Sequence, residues 1–219
     1  CNVPSRPRPL SPHRSPPLAE MIYLASNSPR RRELLQQIHV RFEPLLFRGP
    51  SRGDHDISEN VEPGEDVVTY VRRVALAKAE GGIQRMHMRK LPQRLLLSAD
   101  TTLELDDEII GKPDDGEHAI AILRRLSGRT HRVLTAVVVT DGQRFEQRLS
   151  TSEVRFRPLS DTEIRHYVAT GEAADKAGAY GIQGRAALFI DEIHGSYTGI
   201  MGLPLFETGA LLQEFGYPL

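Results

Sequence analysis

The chain has 219 residues, enough to bury roughly 70 % of its unfolded surface in one domain or two fused lobes. Twenty-eight Lys and Arg against twenty-nine Asp and Glu leave a net charge of −1, which excludes a global field drawing the molecule to nucleic acid or to an anionic membrane, so any anion site is local. No apolar run approaches the ~18 residues that span a bilayer, and the single cysteine, Cys1, excludes an internal disulfide and a Cys-rich zinc framework, which fits a reducing cytoplasm.

Residues 1–20 carry six prolines, three arginines and one acidic residue, the composition of a disordered Pro/Arg-rich tail. The prolines would break the amphipathic helix of a transit peptide, and the tail lacks the apolar segment of a secretory signal. Met21 follows directly, so an upstream translation start or an artefact is the expected source of the tail, with a targeting segment as the alternative, and the folded domain is expected over 21–219. A short apolar run at 21–25 predicts a buried strand, and Ser28 with Pro29 opens a helix that lasts to about Gln37. A second strand is expected over 42–46, then a long polar loop over 48–64. Val67, Val71, Val74 and Ala75 set a helical period from Glu65, with a stop expected near Gly81 and Gly82.

Residues 95–99 read as an apolar strand that ends at Asp100, and 101–105 and 108–110 flank Asp106-Asp107 as a tight hairpin. Ala119, Ile122, Leu123 and Leu126 predict a helix over 116–127, stopped by Gly128. A β-branched run at 133–140 turns at Asp141-Gly142 into a strand directed back toward Arg157. Ser160 and Glu163 form a capping box for a helix reaching Thr170, 187–193 is a late strand, and Pro204 starts a closing helix that runs through Phe215. The alternation gives an α/β fold with a mixed sheet and no internal repeat.

Three segments carry candidate chemistry. Ser26, Ser28, Arg30 and Arg31 sit between a strand and a helix start, which reads either as a phosphate cradle or as a surface helix start with solvated arginines. Asp100 stands just beyond a strand end, where a metal ion or a water could meet it, and Lys112 between Gly111 and Pro113 reads either as a held ammonium or as an exposed hairpin end. The stretch 175–184 combines Gly178, Gly181 and Gly184 with the polar readers Lys176 and Gln183, either a ligand contact or a structural turn. Asp106, Asp107, Asp114 and Asp115 could pass for metal ligands, but hairpin and helix-start roles explain them. The eight histidines show no metal-binding spacing, and no nucleophile elbow, Walker loop or core cysteine appears.

Four blocks in order, SNSPRRRELL, SADTTLELDDEIIGKP, RRLSGRTHRVLTAV and DKAGAYGIQGRAALFI with GSYTGIMGLPLFET, resemble the Maf family of nucleoside triphosphate pyrophosphatases from about Met21 to Phe215. The resemblance implies a Maf-like, inosine-triphosphatase-like α/β fold whose long mixed sheet bends between two lobes around a nucleotide cleft. It implies hydrolysis of a nucleoside triphosphate to the monophosphate and pyrophosphate with a divalent cation, Mg²⁺ or Mn²⁺, and a homodimer. By motif position, Ser26, Arg30, Arg31, Lys78 and Lys112 would hold the triphosphate, Asp100 would be the catalytic carboxylate that accepts a proton from the attacking water, and Glu59 would join Asp100 on the metal side. Ala77, before Lys78, departs from the polar residue of many relatives. Arg30, Thr101 and Gln183 match the branch that resembles dTTP and UTP pyrophosphatases, whereas the 7-methyl-GTP branch carries Trp, Gln and Glu there. The alternatives are 7-methyl-GTP as substrate, or a nucleotide-binding septation regulator with little catalysis.

Overall fold

The computed structural model describes residues 21–45 and 58–219; the expected tail over 1–20 and most of the loop expected over 48–64 lie outside them. Seven strands form one sheet in the order β2 (Phe42–Pro44), β1 (Ile22–Leu24), β3 (Leu96–Leu105), β5 (Thr130–Thr140), β6 (Phe145–Phe156) and β7 (Ile190–His194), with β4 (Glu108–Ile110) also on β3. The β1–β2 and β1–β3 pairs are parallel and the remaining pairs are antiparallel, so the mixed sheet expected from the central hairpins is present.

The helices follow from the apolar periods. In α2 (Val67–Met88) the residues Val71, Ala75, Ala79 and Ile83 pack on one face of the sheet against Tyr23, Leu96, Ala136 and Val138. The opposite face meets Leu34 and Leu35 of α1 (Pro29–Gln37) and Leu211 and Leu212 of α6 (Leu205–Glu214), which cover Leu97, Ala99, Val137 and Val139. A third cluster joins α3 (Gly116–Leu126) and α4 (Asp161–Val168) to Leu103, Val154 and Phe156 at the far end of the sheet. The capping box of Ser160 and Glu163 is formed, and Gly128 adopts φ +69° after α3. Asp106 and Asp107 both take positive φ in the β3–β4 turn, the geometry that a two-residue hairpin favours.

Three expectations are corrected. The second helix does not stop at Gly81-Gly82 but continues to Met88, because Gly82 is a packing residue: a Cβ there would stand 2.5 Å from Leu96 Cδ1 and 3.3 Å from the Ala25 Cβ. Glycine lets α2 run close over the sheet. The strand expected to end at Asp100 continues through it to Leu105, since Asp100 is buried and bonded to Lys78 of α2, and its polar neighbours Ser98 and Thr102 are buried as well. The late strand begins only at Ile190; Arg185–Phe189 is a 3₁₀ turn that tucks Ala186 and Phe189 into the core. A short helix, α5 (Tyr197–Met201), capped by Ser196 and ended by Gly202 at φ +118°, adds an element that periodicity over five residues cannot reveal.

Candidate active site

Along β3, side chains alternate between the two faces. Ser98 and Asp100 face α2, and Leu97, Ala99 and Thr101 face α1 and α6. One edge of β3 loses its partner in this stretch: β1 pairs only as far as Leu97, and β4 begins only at Leu103. A cavity of about 670 Å³ opens at this break and is lined from both faces, so neighbouring residues on opposite sides of the sheet, Asp100 and Thr101, reach the same space. The nine residues that the family resemblance assigns to the site, Ser26, Arg30, Arg31, Glu59, Lys78, Asp100, Thr101, Lys112 and Gln183, all line it, whereas Gly178 and Gly184 of the glycine-rich stretch do not.

The floor on the α2 side is a cationic bridge. Lys78 Nζ lies 2.7 Å from Asp100 Oδ1 and 2.7 Å from Glu59 Oε1, so two carboxylates converge on one ammonium. Glu59 is set in place from α2: Tyr70 donates to its carbonyl at 2.9 Å, while Arg73 binds the carbonyls of Ser58 and Asn60 and the carboxylate of Glu65. Burial opposes the charged form of Glu59, but Lys78, with help from Lys112 and Arg31, outweighs it and holds the carboxyl below its usual range. Burial beside Asp100 and Glu59 pushes the Tyr70 phenol up to about 12, so it remains a donor.

On the α1 side Arg31 is buried and spends three donors on the protein: Nε on the Gly202 carbonyl at 2.8 Å, Nη1 on Ser26 Oγ at 3.1 Å and Nη2 on Thr101 Oγ1 at 3.2 Å. Burial pulls its pKa down, and Asp100 and Glu59 work against that fall while Arg30 adds to it. Ser26 Oγ accepts from Arg31 and, at 3.2 Å, from the Ser28 amide, so both lone pairs are engaged and its own proton is left to donate to a ligand oxygen. Ser28 caps α1, which points its N-terminal amides and positive dipole end at the cavity. Of the two readings of this segment, the surface helix start with solvated arginines gives way to a cavity wall.

The third wall is the glycine-rich segment. Gly178, at φ +73°, donates its amide to the carbonyl of Gly111 at 3.0 Å, which ties this segment to the turn bearing Lys112. A Cβ at Gly178 would collide with Leu103 of β3. Arg30 pairs with Asp175 at 3.8 Å and Gln183 donates to Glu33 at 3.4 Å, so both sides of the cavity are joined across its mouth. Lys176 is already committed to the Glu172 carbonyl and to Asp175, each at 2.6 Å.

Asp106 pairs with Arg129 and Asp115 caps α3, in keeping with turn and cap roles. Sequence reasoning passed over Arg85 and Gly202 and took Asp175 and Tyr180 only as members of the stretch 175–184; all four line the cavity. For Arg85 a signal existed: it follows Lys78 by seven residues, two helical turns along one face of α2. Gly202 had none, since its carbonyl matters only through a fold that brings it to Arg31.

Residues 21–215 match the family described as Maf-like protein. The chain is 68 % identical over 204 residues to the dTTP/UTP pyrophosphatase of Aromatoleum aromaticum, covering 93 % of this chain and 99 % of that protein. It is 58 % identical over 196 residues to the dTTP/UTP pyrophosphatase of Dechloromonas aromatica, covering 90 % and 98 %. Among solved structures, the Staphylococcus aureus Ham1 protein aligns with a TM-score of 0.50 at 15 % identity, covering 89 % of this chain and 98 % of that one, a likeness of fold. With the family match spanning nearly all of the described residues and the relatives aligned almost end to end, this chain belongs to the Maf-like protein family.

Proposed function

We propose that this protein hydrolyses dTTP and UTP between the α and β phosphates, releasing the monophosphate and pyrophosphate. The observation that carries the reading is the cavity in which Ser26, Arg31 and Lys112 surround the paired acids Asp100 and Glu59. Its closest support in kind is the naming of relatives up to 68 % identical as dTTP/UTP pyrophosphatases. A nucleoside triphosphate brings about four negative charges, and a chain of net charge −1 must meet them locally. Arg30, Arg31, Lys78 and Lys112 supply that charge around one space.

In this reading Ser26 donates to a phosphate oxygen while Arg31, fixed by three bonds, keeps Ser26 aligned. Asp100 accepts the proton of a water whose oxygen attacks the α phosphorus; the bond from that phosphorus to the bridging oxygen breaks, and pyrophosphate leaves toward Lys112. Lys78 orients the Asp100 carboxylate through its 2.7 Å contact.

The donor chemistry of the site fits a divalent cation such as Mg²⁺ or Mn²⁺. Two carboxylate oxygens already meet around a single positive group, and among the described residues there is no cluster of three His, Cys, Asp or Glu, so phosphate oxygens would complete the shell. Glu59 and Asp100 would hold it, and when bound it would neutralise phosphate charge and acidify a neighbouring water.

The test is the product and rate of turnover of UTP, dTTP and 7-methyl-GTP by one purified preparation. Pyrophosphate formed fastest from UTP and dTTP is expected. A preference for 7-methyl-GTP would reassign the base pocket, and no pyrophosphate from any of the three would leave a nucleotide-binding protein.

A further inference from the structure

A line of oxygen atoms runs from the cavity wall into the sheet. Thr101, which lines the cavity, stands opposite Thr135 of β5 in the strand register, with their Oγ1 atoms 2.9 Å apart. Thr135 Oγ1 in turn lies 2.8 Å from the carbonyl oxygen of Gly199 in α5. A carbonyl can only accept, so the single proton of Thr135 is given to Gly199. Thr135 then meets Thr101 as an acceptor, and the Thr101 proton is drawn into the sheet and away from the cavity. Arg31 Nη2 occupies one Thr101 lone pair at 3.2 Å. What Thr101 has left for a ligand is its second lone pair.

The polarity of this chain is anchored at its buried end. Thr135 is fully buried, and α5 is pressed against β6: a Cβ on Gly199 would stand 2.8 Å from Ser150 Oγ, and the Gly199 amide is held by Ser196 Oγ at 3.0 Å. The Gly199 carbonyl, which also accepts from the Gly202 amide at 3.0 Å, is thus held toward Thr135 by the packing of α5.

We propose that Thr135, a residue that lines no part of the cavity, is a specificity-determining positioning residue: by taking the Thr101 proton it makes Thr101 an obligate acceptor, so that the site selects a ligand carrying an N–H or O–H donor at that point. The inference rests on the nucleotide reading above. In a uracil or thymine nucleotide the candidate donors are the imide N3–H, which cytosine replaces with a bare acceptor, and a sugar hydroxyl. Ser26 complements this arrangement, because its lone pairs are spent and it offers only a proton. Of the hydroxyls that line the cavity, Ser26 and Thr101 are thus sorted into a donor suited to phosphate and an acceptor suited to the nucleoside.

The experiment compares kcat/KM for UTP, CTP and 3′-deoxy-UTP in the full chain and in the Thr135→Val and Thr135→Ser variants. The wild type is expected to favour UTP over at least one donor-lacking analogue by about tenfold or more, the order of one mismatched buried hydrogen bond. Thr135→Val frees the Thr101 hydroxyl to turn and should shrink that ratio by about tenfold, and Thr135→Ser, which keeps the hydroxyl, should restore it. A loss confined to CTP identifies the imide as the donor, and one confined to 3′-deoxy-UTP identifies the sugar; both support the proposal. A Thr135→Val ratio within about twofold of wild type, or a Thr135→Ser variant that behaves like the valine, overturns it. A wild type that handles all three substrates alike overturns it without requiring any variant to fold. Failure of the wild type to turn over UTP would defeat the pyrophosphatase reading and this inference with it, whereas UTP turnover with an unchanged ratio defeats this inference alone.

Discussion

Lys78 reaches from α2 to place its ammonium 2.7 Å from Asp100 in the middle of β3, and the same nitrogen holds Glu59 at 2.7 Å. Both side chains of the Lys78–Asp100 pair are largely withdrawn from solvent, whereas Glu59 is half exposed. The arrangement keeps together two carboxylates that would otherwise repel each other, and in the proposed function it also puts a cation where phosphate would arrive.

Lys78→Met should therefore lower kcat/KM by about 100-fold, with Lys78→Arg intermediate because a guanidinium retains charge but not the compact shape of an ammonium. Steady-state kinetics with UTP checks this. Equal activity of Lys78→Met and wild type would show that the bridge is incidental.

His131 is buried between Phe156 and Tyr180, at ring-centroid distances of 5.1 and 5.5 Å, with its Nε2 2.8 Å from the Tyr180 hydroxyl. Burial lowers its pKa from 6.5 to about 4. The unfolded chain binds a proton that the folded chain refuses between these values, so stability is full above pH 6.5 and falls as the pH drops toward 4. Over that window the loss is expected to reach about 3 kcal/mol at most. Urea unfolding across this range should show a shallower pH dependence in His131→Gln, and identical slopes in the two proteins would refute the assignment.

Gly82 gives a prediction that runs against helix propensity. In an ordinary exposed helix, Gly→Ala adds about 1 kcal/mol of stability. Here the new methyl group would meet Leu96 at 2.5 Å, and Gly82→Ala should instead cost about 1–3 kcal/mol. Denaturant midpoints of the two proteins decide the sign, and a gain would mean that α2 does not lie this close to the sheet.

Much of this molecule could be read along the chain because its signals are local. The Ser160–Glu163 box, the turn at Asp106-Asp107 and the period of α3 depend on neighbours within a few residues, and the structure forms all three. The end of the first central strand could not be read in the same way: Asp100 resembles a strand terminus until α2 supplies Lys78 as its partner. Gly82 likewise resembles a helix stop until Leu96 is brought beneath it. In the site, the motif residues were visible as types, but the bonds that set their polarity span long separations. Arg31 meets the Gly202 carbonyl, and Thr101 meets Thr135. No pattern within a short window carries such contacts.

The most direct measurement is pyrophosphate release from UTP by Asp100→Asn, paired with calorimetric binding of a non-hydrolysable UTP analogue to the same protein. If Asp100 takes the proton of the attacking water, turnover should fall by about 10³-fold while the dissociation constant stays within about fivefold of wild type. Turnover within about tenfold of wild type would contradict the account, because a general base worth so little could not be the group around which this cavity works.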